Sequence, residues 1–228
     1  MEDATRSGGA EPEALAFDMY GTLVDPIRIW TRLERDLPGE ALQVAELWRL
    51  KQLEYSFRLT AMEDYEDFEQ LTRKALDYAL AATGCDLGTA QKNALMAQYN
   101  DLERFADVEP GLNRLAQRGH PMVVFSNGSP GMLEPLLAAA GLAGWFDGFV
   151  SVHEVRAFKP SPRTYRYAAE RIGRPIGAVR LVSSNPFDVI GAQAAGMRAA
   201  WVNRSGAVFD TLRPPPRIVV GSLTELAE

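Results

Sequence analysis

The chain has 228 residues, of which 46% are hydrophobic and 24% charged, the ordinary composition of a globular protein with one or two domains. Its net charge of −6 argues against a nucleic-acid-binding face, because phosphate binding needs a basic surplus. The single cysteine, Cys85, excludes an intramolecular disulfide and gives no sign of an oxidising compartment.

The N-terminal segment, residues 1–14, is acidic and contains two glycines. It lacks the basic and apolar regions of a secretory signal, so we expect a frayed tail. No run reaches the roughly 18 apolar residues that a membrane span requires. These features predict a soluble, cytoplasmic protein without a membrane partner.

Short apolar runs that end at polar residues predict buried strands. They cover residues 14–17, 122–125, 148–152, 181–182, 199–202 and 218–220. Helical patterns lie between most of them, and this alternation predicts an α/β fold with a parallel sheet. The polar residues that follow the strands are Asp18, Ser126, Asn127, Ser183 and Asn185. Because ligands bind beyond the carboxyl ends of such strands, these residues mark the candidate site.

Residues 26–105 interrupt the alternation with a block that is helical throughout. Helices are predicted near 26–36, 40–58, 62–82 and 88–104, and in the second Leu42, Leu50, Leu53 and Phe57 recur at helical spacing. We therefore predict a helical cap over 26–105, inserted into a core formed by 1–25 and 106–228.

Three helix starts share one pattern, in which a capping residue precedes proline. They are Ser129-Pro130, Ser161-Pro162 and Asn185-Pro186. Each follows a predicted strand or its loop, so the free N–H groups of these helices should face the same rim. Such a rim favours a small anionic ligand.

The loop after the first strand reads Phe17-Asp18-Met19-Tyr20-Gly21-Thr22. It resembles the nucleophile motif of the haloacid dehalogenase superfamily, an aspartate at a strand end followed by Gly-Thr. Further segments, at 48–55, 125–129, 158–160 and 182–188, resemble the remaining motifs of one branch, the L-2-haloacid dehalogenases. The resemblance extends from about residue 13 to 225, nearly the whole chain.

This resemblance implies a Rossmann-like core with an inserted helical cap. It also implies hydrolysis of small (S)-2-haloacids to (R)-2-hydroxy acids through a covalent aspartyl ester, without a metal or cofactor. The implied catalytic residues are Asp18 as nucleophile with Thr22, Arg49, Ser126, Lys159, Tyr165, Ser183, Asn185 and Asp188. The implied substrate-binding residues are Met19, Tyr20, Arg49, Ser126, Asn127, Phe68 and Phe187, with Arg49 and Asn127 near the halide.

Two residue choices separate this branch from the phosphatases of the superfamily. A phosphatase usually carries a second aspartate two positions after the nucleophile to protonate a departing alkoxide, and here that position is Tyr20. The stretch Ser183–Asn185 also lacks the carboxylates that hold Mg²⁺. A halide other than fluoride needs no proton to leave, so both losses are compatible with dehalogenation.

Each candidate also has an ordinary structural interpretation. Asp18, Asn185 and Asp188 suit a turn or a helix start, while Arg49 and Lys159 suit a solvated surface. Tyr165 shares an apolar stripe with Ala168 and Ile172, so it suits the core. Phe68 and Phe187 also suit the core. His120 and His153 match no catalytic motif and are predicted to be structural.

Some positions depart from the pattern of the branch. Pro186-Phe187 stands where Ala-Trp is typical, Phe158 where tyrosine is usual, and Ser161 where aspartate is common. The preferred substrate is therefore open, and the oligomeric state, for which a homodimer is one compatible assembly, is open too. Alternatives are a Mg²⁺-dependent phosphatase, a relative that cleaves a C–F bond or a strained ring amine, and a non-catalytic binding protein on the same fold.

Overall fold

The computed structural model describes residues 12–227. Most of the N-terminal segment that was predicted to be a frayed tail lies outside this range. Six parallel strands form the sheet in the order β3-β2-β1-β4-β5-β6. They are β1 (Ala14–Phe17), β2 (Met122–Ser126), β3 (Phe149–Ser151), β4 (Val179–Ser183), β5 (Arg198–Val202) and β6 (Ile218–Val220). The predicted α/β class with a Rossmann-like parallel sheet is confirmed.

The register of the central strands brings the predicted polar residues to one edge of the sheet. Phe17 lies opposite Val124 of β2 and Val182 of β4. The chain therefore leaves all three strands at a similar level, and the backbone N–H of Asp18 donates to the carbonyl of Val182 at 3.0 Å. Strand β4 is longer than predicted. The charged Arg180 lies within it and binds Glu13 at 2.6 Å, and a charged residue at this position interrupts the apolar pattern from which the strand was predicted.

The helices of this part of the chain lie between successive strands, except for the last, which follows β6. They are α5 (Val108–Gln117), α6 (Pro130–Ala139), α7 (Pro162–Ile172), α8 (Pro186–Ala195) and α9 (Leu223–Leu226). The predicted starts of α6, α7 and α8 are confirmed, with Ser129, Ser161 and Asn185 at the N-cap. None of these three side chains caps its own helix, so the Asn185 amide is free to bind elsewhere.

The segment between β1 and α5 consists of helices and turns. After a 3₁₀ turn at Ile27–Ile29 come α1 (Trp30–Leu33), α2 (Ala41–Ala61), α3 (Phe68–Thr83) and α4 (Thr89–Gln98). The predicted helix over 62–82 begins only at Phe68, because Glu63 has a positive φ of 57° and the side chain of Asp67 caps α3. The predicted helix over 88–104 ends at Gln98, because residues 103–105 pair with the loop after β1.

The apolar pattern in α2 was only partly correct. Leu42 and Leu50 are exposed at 46% and 60%, whereas Trp48, Gln52 and Ser56 are buried. The helix therefore buries a mixed face, which an argument from apolar spacing does not detect. This face packs on α3.

The two connections between the helical block and the sheet run side by side. Asp25 N–H donates to the carbonyl of Glu103 at 3.0 Å, and Phe105 N–H donates to that of Leu23 at 3.1 Å. Val24 and Arg104 form an antiparallel bridge between them. The division into a core of 1–25 and 106–228 and a cap of 26–105 stays a prediction.

Within residues 12–227, no helix combines the length and apolar character needed to cross a bilayer.

Candidate active site

Asp18 lies directly after β1 and is only 6% exposed. Its Oδ2 accepts hydrogen bonds from Thr22 at 3.0 Å, Ser183 at 3.1 Å and the Asn185 amide at 2.7 Å. Its Oδ1 accepts from Lys159 at 3.2 Å. One oxygen is thus saturated with donors, while the other has a single donor among the described residues and keeps lone pairs for attack.

The loop after β1 folds Thr22 back onto Asp18. Gly21 has a φ of +87°, a backbone conformation that residues with a Cβ rarely adopt. The N–H groups of Thr22 and Leu23 then donate to the carbonyl of Met19. Thr22 Oγ1 also accepts from the N–H of Ser184 at 2.8 Å, so the loops after β1 and β4 are joined.

Lys159 is 1% exposed and binds both buried carboxylates. Its Nζ donates to Asp18 Oδ1 at 3.2 Å, to Asp188 Oδ2 at 2.9 Å and to the carbonyl of Phe125 at 2.7 Å. All three ammonium protons therefore have acceptors, which the burial of a charge requires. The interpretation of Lys159 as a surface lysine is wrong, because its side chain is buried and its ammonium binds Asp18 after β1 and the carbonyl of Phe125 in β2.

Asp188 lies in the first turn of α8 and is fully buried. Tyr165 donates to its Oδ1 at 2.7 Å. Burial raises the pKa of Asp188 from 3.8 to about 6, against the opposing effect of Lys159. Burial and the nearby Asp188 raise the pKa of Tyr165 above its ordinary value of 10, so the phenol stays a donor. Tyr165 is both a core residue and a partner of Asp188.

The loop after β2 lies on the other side of Lys159. Asn127 Oδ1 accepts from the backbone N–H of Lys159 at 2.9 Å, and Ser126 Oγ accepts from the N–H of Gly128 at 3.1 Å. Both side chains are buried. The hydroxyl proton of Ser126 and the amide protons of Asn127 are the groups of this loop that remain suited to a ligand.

Arg49 is half-buried on α2 and contacts the loop after β1 rather than Asp18 itself. Its Nη2 donates to the carbonyl of Tyr20 at 3.3 Å, and its Nη1 donates to Gln52 at 2.6 Å. A cavity of about 530 Å³ borders the guanidinium and Asn185. Sequence reasoning did not identify three residues here, namely Gln52 and the cavity residues Phe105 and Trp201.

Aromatic rings surround the loop after β1. The ring of Tyr20 lies 5.9 Å from that of Phe68 and 5.6 Å from that of Tyr99. Met19 is fully buried beside it. Phe187 is half-buried and its ring lies 5.2 Å from Phe57 of α2, so it contacts the helical block.

The Tyr20 hydroxyl is buried and has no hydrogen-bond partner among the described residues. It faces Gly128, where an added Cβ would lie 3.1 Å from the oxygen. Burial raises the pKa of this phenol, so it stays protonated. An unpaired buried donor is costly, which makes this hydroxyl a candidate ligand contact.

The predicted site residues thus fall into three groups. Asp18, Thr22, Lys159, Tyr165, Ser183, Asn185 and Asp188 form one hydrogen-bonded network. Ser126 and Asn127 adjoin it through the loop after β2, whereas Met19, Tyr20, Phe68 and Arg49 adjoin it through the loop after β1. Phe187 belongs to none of these groups and contacts Phe57 of the helical block. The two histidines lie outside the network: His120 binds a backbone carbonyl and His153 binds Tyr65.

A family model described as haloacid dehalogenase-like hydrolase matches residues 12–196. The chain belongs to the haloacid dehalogenase-like hydrolases. It is 36% identical over 216 residues to the (S)-2-haloacid dehalogenase of Pseudomonas sp. (strain YL), covering 95% of this chain and 93% of that one. It is 39% identical over 210 residues to haloacetate dehalogenase H-2 of Moraxella sp. (strain B), covering 91% and 93%.

Solved structures within the family give the same result. The L-2-haloacid dehalogenase of Xanthobacter autotrophicus with chloropropionic acid covalently bound superposes with a TM-score of 0.88. It is 34% identical, and the match covers 95% of this chain and 97% of that one. The predicted family, the fold and the reaction class, hydrolysis of a carbon–halogen bond, are therefore confirmed for this haloacid dehalogenase-like hydrolase.

Proposed function

We propose that this protein hydrolyses short (S)-2-haloalkanoic acids to (R)-2-hydroxy acids through an ester on Asp18. The observation that carries the proposal is the unequal bonding of the Asp18 carboxylate. Three donors hold Oδ2, while Oδ1 has Lys159 as its single donor within residues 12–227 and keeps lone pairs for a substrate carbon. A fixed nucleophile in a buried site avoids much of the entropic cost of a bimolecular displacement.

In the first step, Oδ1 forms a bond to carbon 2 while the carbon–halogen bond breaks and the halide leaves with the electron pair. Attack from the side opposite the halogen inverts carbon 2. No proton is needed for chloride or bromide, which suits a site where the neutral phenol of Tyr20 stands two residues after the nucleophile. We take Arg49 on α2, which donates to the carbonyl of Tyr20 in the loop after β1, as the cation that meets the charge developing on the halide.

The substrate carboxylate would lie against the loop after β2. The groups available there are the Ser126 hydroxyl, the Asn127 amide and the free N–H groups at the start of α6. The unpaired hydroxyl of Tyr20 faces the same loop at Gly128 and would gain an acceptor. Met19, Phe68 and Phe187 would then contact the alkyl group.

In the second step, water attacks the carbonyl carbon of the Asp18 side chain. Asp188 would take a proton from this water, while Ser183 and Asn185 orient the ester that they already bind. The bond between the carbonyl carbon and the oxygen on carbon 2 breaks. The departing alkoxide takes the proton from Asp188. The second proton of the water leaves the new carboxyl group of Asp18 for solvent, which restores the carboxylate nucleophile.

We further propose that the reaction needs no metal ion. In phosphatase relatives a divalent cation would neutralise the nucleophile and a second carboxylate. Here the ammonium of Lys159 stands between Asp18 and Asp188 and donates to both. Among residues 12–227, no group of three or more His, Cys, Asp or Glu side chains is arranged for metal binding.

The cytoplasmic location, the absence of a nucleic-acid partner and the oligomeric state remain predictions from the sequence. The acidic charge of −6 supports the second of these.

A halide-release assay tests the function directly. We expect release from the (S)-enantiomers of 2-chloro- and 2-bromopropionate and from haloacetates, at the same rate with and without EDTA. Chiral analysis should find the (R)-hydroxy acid, and D18N should be inactive. Loss of activity with EDTA, recovery with Mg²⁺ and hydrolysis of a phosphate ester would instead establish the phosphatase alternative. No halide release from any of these substrates would contradict the proposal.

A further inference from the structure

Arg49 is held from the interior of the helical block by a buried amide. Gln52 lies one turn further along α2 and is fully buried. Its Oε1 accepts from Arg49 Nη1 at 2.6 Å and from the Tyr99 hydroxyl at 3.2 Å. Because a guanidinium can only donate, the atom of Gln52 that faces it must be the oxygen. Both acceptor positions of this oxygen are therefore in use.

The other end of the Gln52 amide is fixed as well. Its Nε2 donates to Thr72 Oγ1 at 2.6 Å, and Thr72 donates in turn to the carbonyl of Phe68 at 2.6 Å. Thr72 is fully buried and Tyr99 is 2% exposed. Residues from α2, from α3 and from the segment after α4 thus set the orientation of one amide, and solvent does not compete for it.

On its opposite side, the Arg49 guanidinium contacts the loop after β1, which carries Asp18. Nη2 donates to the carbonyl of Tyr20 at 3.3 Å. The same carbonyl accepts from the Asn185 amide at 3.0 Å, which also donates to Asp18 at 2.7 Å. The guanidinium is therefore held between the buried amide and the loop that carries the nucleophile, so its rotation is restricted.

A buried amide is costly unless its polar atoms are paired, and an apolar side chain of similar size would fill this space without partners. The hydrogen bond to Arg49 therefore accounts for a glutamine at this buried position. We infer that Gln52 is a positioning residue, which orients Arg49 toward the departing halide and is itself oriented by Thr72 and Tyr99. The inference rests on the proposed function, because it takes Arg49 as the group that receives the halide.

The neutrality of the amide matters as much as its shape. A glutamate at this position would keep the hydrogen bonds from Arg49 and Tyr99 but would form an ion pair with the guanidinium. Its negative charge would then oppose the attraction between Arg49 and a halide. The inference therefore predicts that both an apolar residue and a glutamate weaken the halide site, for different reasons.

The experiment compares Q52M and Q52E with S56A and wild type. Ser56 is buried on the same helix, and its single side-chain hydrogen bond among residues 12–227 goes to the carbonyl of Leu53, so S56A controls for loss of a buried polar group. Single-turnover rates of carbon–halogen cleavage are measured for (S)-2-chloro- and (S)-2-bromopropionate with enzyme in excess. Product inhibition by chloride and bromide is measured beside them, and thermal unfolding gives the folded fraction.

For both variants we expect cleavage rates about tenfold lower or more. Q52M loses the hydrogen bond to the charged guanidinium, and Q52E opposes the positive charge of the guanidinium. The loss should be larger for chloride, the poorer leaving group, and halide inhibition should weaken. Partial unfolding would lower both rates equally and leave their ratio unchanged. If Q52M does not fold, Q52E decides, because its side chain has the shape of glutamine.

An unchanged chloride-to-bromide ratio and unchanged halide inhibition in the folded variants, with an active wild type, would overturn this inference and leave the proposed function intact. A shift of the same size in S56A would overturn it too. An inactive wild type would instead overturn the proposed function itself.

Discussion

The ammonium nitrogen of Lys159 lies 2.9 Å from Oδ2 of Asp188, and neither side chain is more than 1% exposed. Lys159 also binds Asp18 at 3.2 Å, so one cation serves two buried carboxylates. With both carboxylates ionised, the cluster carries a net negative charge away from water. Burial is the main cause of the raised pKa of Asp188, and the charge of Asp18 adds to it against the opposing effect of Lys159.

Activity should therefore fall as the pH drops through about 6, the raised pKa of Asp188. The activity falls toward low pH rather than high pH, because only the deprotonated carboxylate can take a proton from water. Single-turnover ester hydrolysis followed from pH 4.5 to 8 should show this decline. D188N should lack this pH dependence, and its ester hydrolysis should be slower by about 10² or more. It should still release a burst of one halide per active site.

The same pKa shift makes a prediction about stability. A carboxyl group whose pKa is higher in the folded state contributes stability below its ordinary pKa of 3.8, and this contribution disappears as the pH rises through about 6. D188N should therefore be no less stable than wild type at pH 7.5, as judged by thermal unfolding. Wild-type pH profiles without a step between 5 and 7, together with a markedly less stable D188N, would contradict this account of Asp188.

Replacing Arg49 should slow the chemistry rather than weaken substrate binding alone. If Arg49 meets charge that develops only in the transition state, R49A should lower kcat and kcat/KM together, by about 10²–10³ for one preorganised donor. R49K should rescue poorly, because one ammonium on a different stem cannot reproduce the paired contacts to Gln52 and the Tyr20 carbonyl.

The control for Arg49 is R58A on the same helix, where the arginine is exposed and pairs with Glu54. Surface pairs of this kind contribute little, so R58A should keep near wild-type kinetics. Near-normal kinetics in R49A as well would show that Arg49 takes no part in the chemistry.

Gly191 permits the close approach of Tyr165 to α8. An alanine Cβ there would lie 2.6 Å from Pro160 Cβ and even closer to the Tyr165 hydroxyl, which binds Asp188. G191A should therefore displace Tyr165, cost about 1–3 kcal/mol of stability and lower kcat. Unfolding curves and steady-state kinetics measure the two effects.

G111A is the matched control, because its Cβ would lie 2.6 Å from Leu223 Cβ, at the contact between α5 and α9. It should lose comparable stability while the folded enzyme keeps its kcat. Equal kcat in folded G191A and wild type would show that Tyr165 serves only the core.

Much of this site could be predicted because its signals are local. Asp18, Ser126 and Ser183 each end or follow an apolar strand, and parallel strands bring such residues to one edge. The Ser-Pro and Asn-Pro pairs likewise gave the helix starts, since capping chemistry acts over a few residues. The position of Lys159 needed the family motif, because nothing local distinguishes a lysine that turns inward.

Other features depend on contacts that are distant in the chain. Gln52 binds Thr72 and Tyr99, which lie 20 and 47 residues away, and no periodicity reports such a buried polar network. Only its spacing of three from Arg49 on one helix face gave a signal. The start of α3 at Phe68 was missed because the turn at Glu63 and the Asp67 cap interrupt an otherwise helical composition.

Isotope labelling tests whether Asp18 is the nucleophile. An aspartyl ester and direct attack by an activated water both invert carbon 2, so product stereochemistry does not distinguish them. In the ester route, water attacks the carbonyl carbon of Asp18, and the oxygen already on the aspartate leaves with the product. A single turnover in H₂¹⁸O with enzyme in excess should therefore place the label in the Asp18 side chain and not in the hydroxy acid.

The geometry favours the ester route. Lys159 donates to Oδ1, and the three donors on Oδ2 hold the carboxylate in one orientation. Mass spectrometry of the peptide that contains residue 18 locates the label, and over many turnovers the label should reach the product. If labelled hydroxy acid forms in the first turnover while Asp18 stays unlabelled, Asp18 acts as a general base and the covalent mechanism is wrong. The donors on Oδ2 would then serve to orient a base rather than a nucleophile.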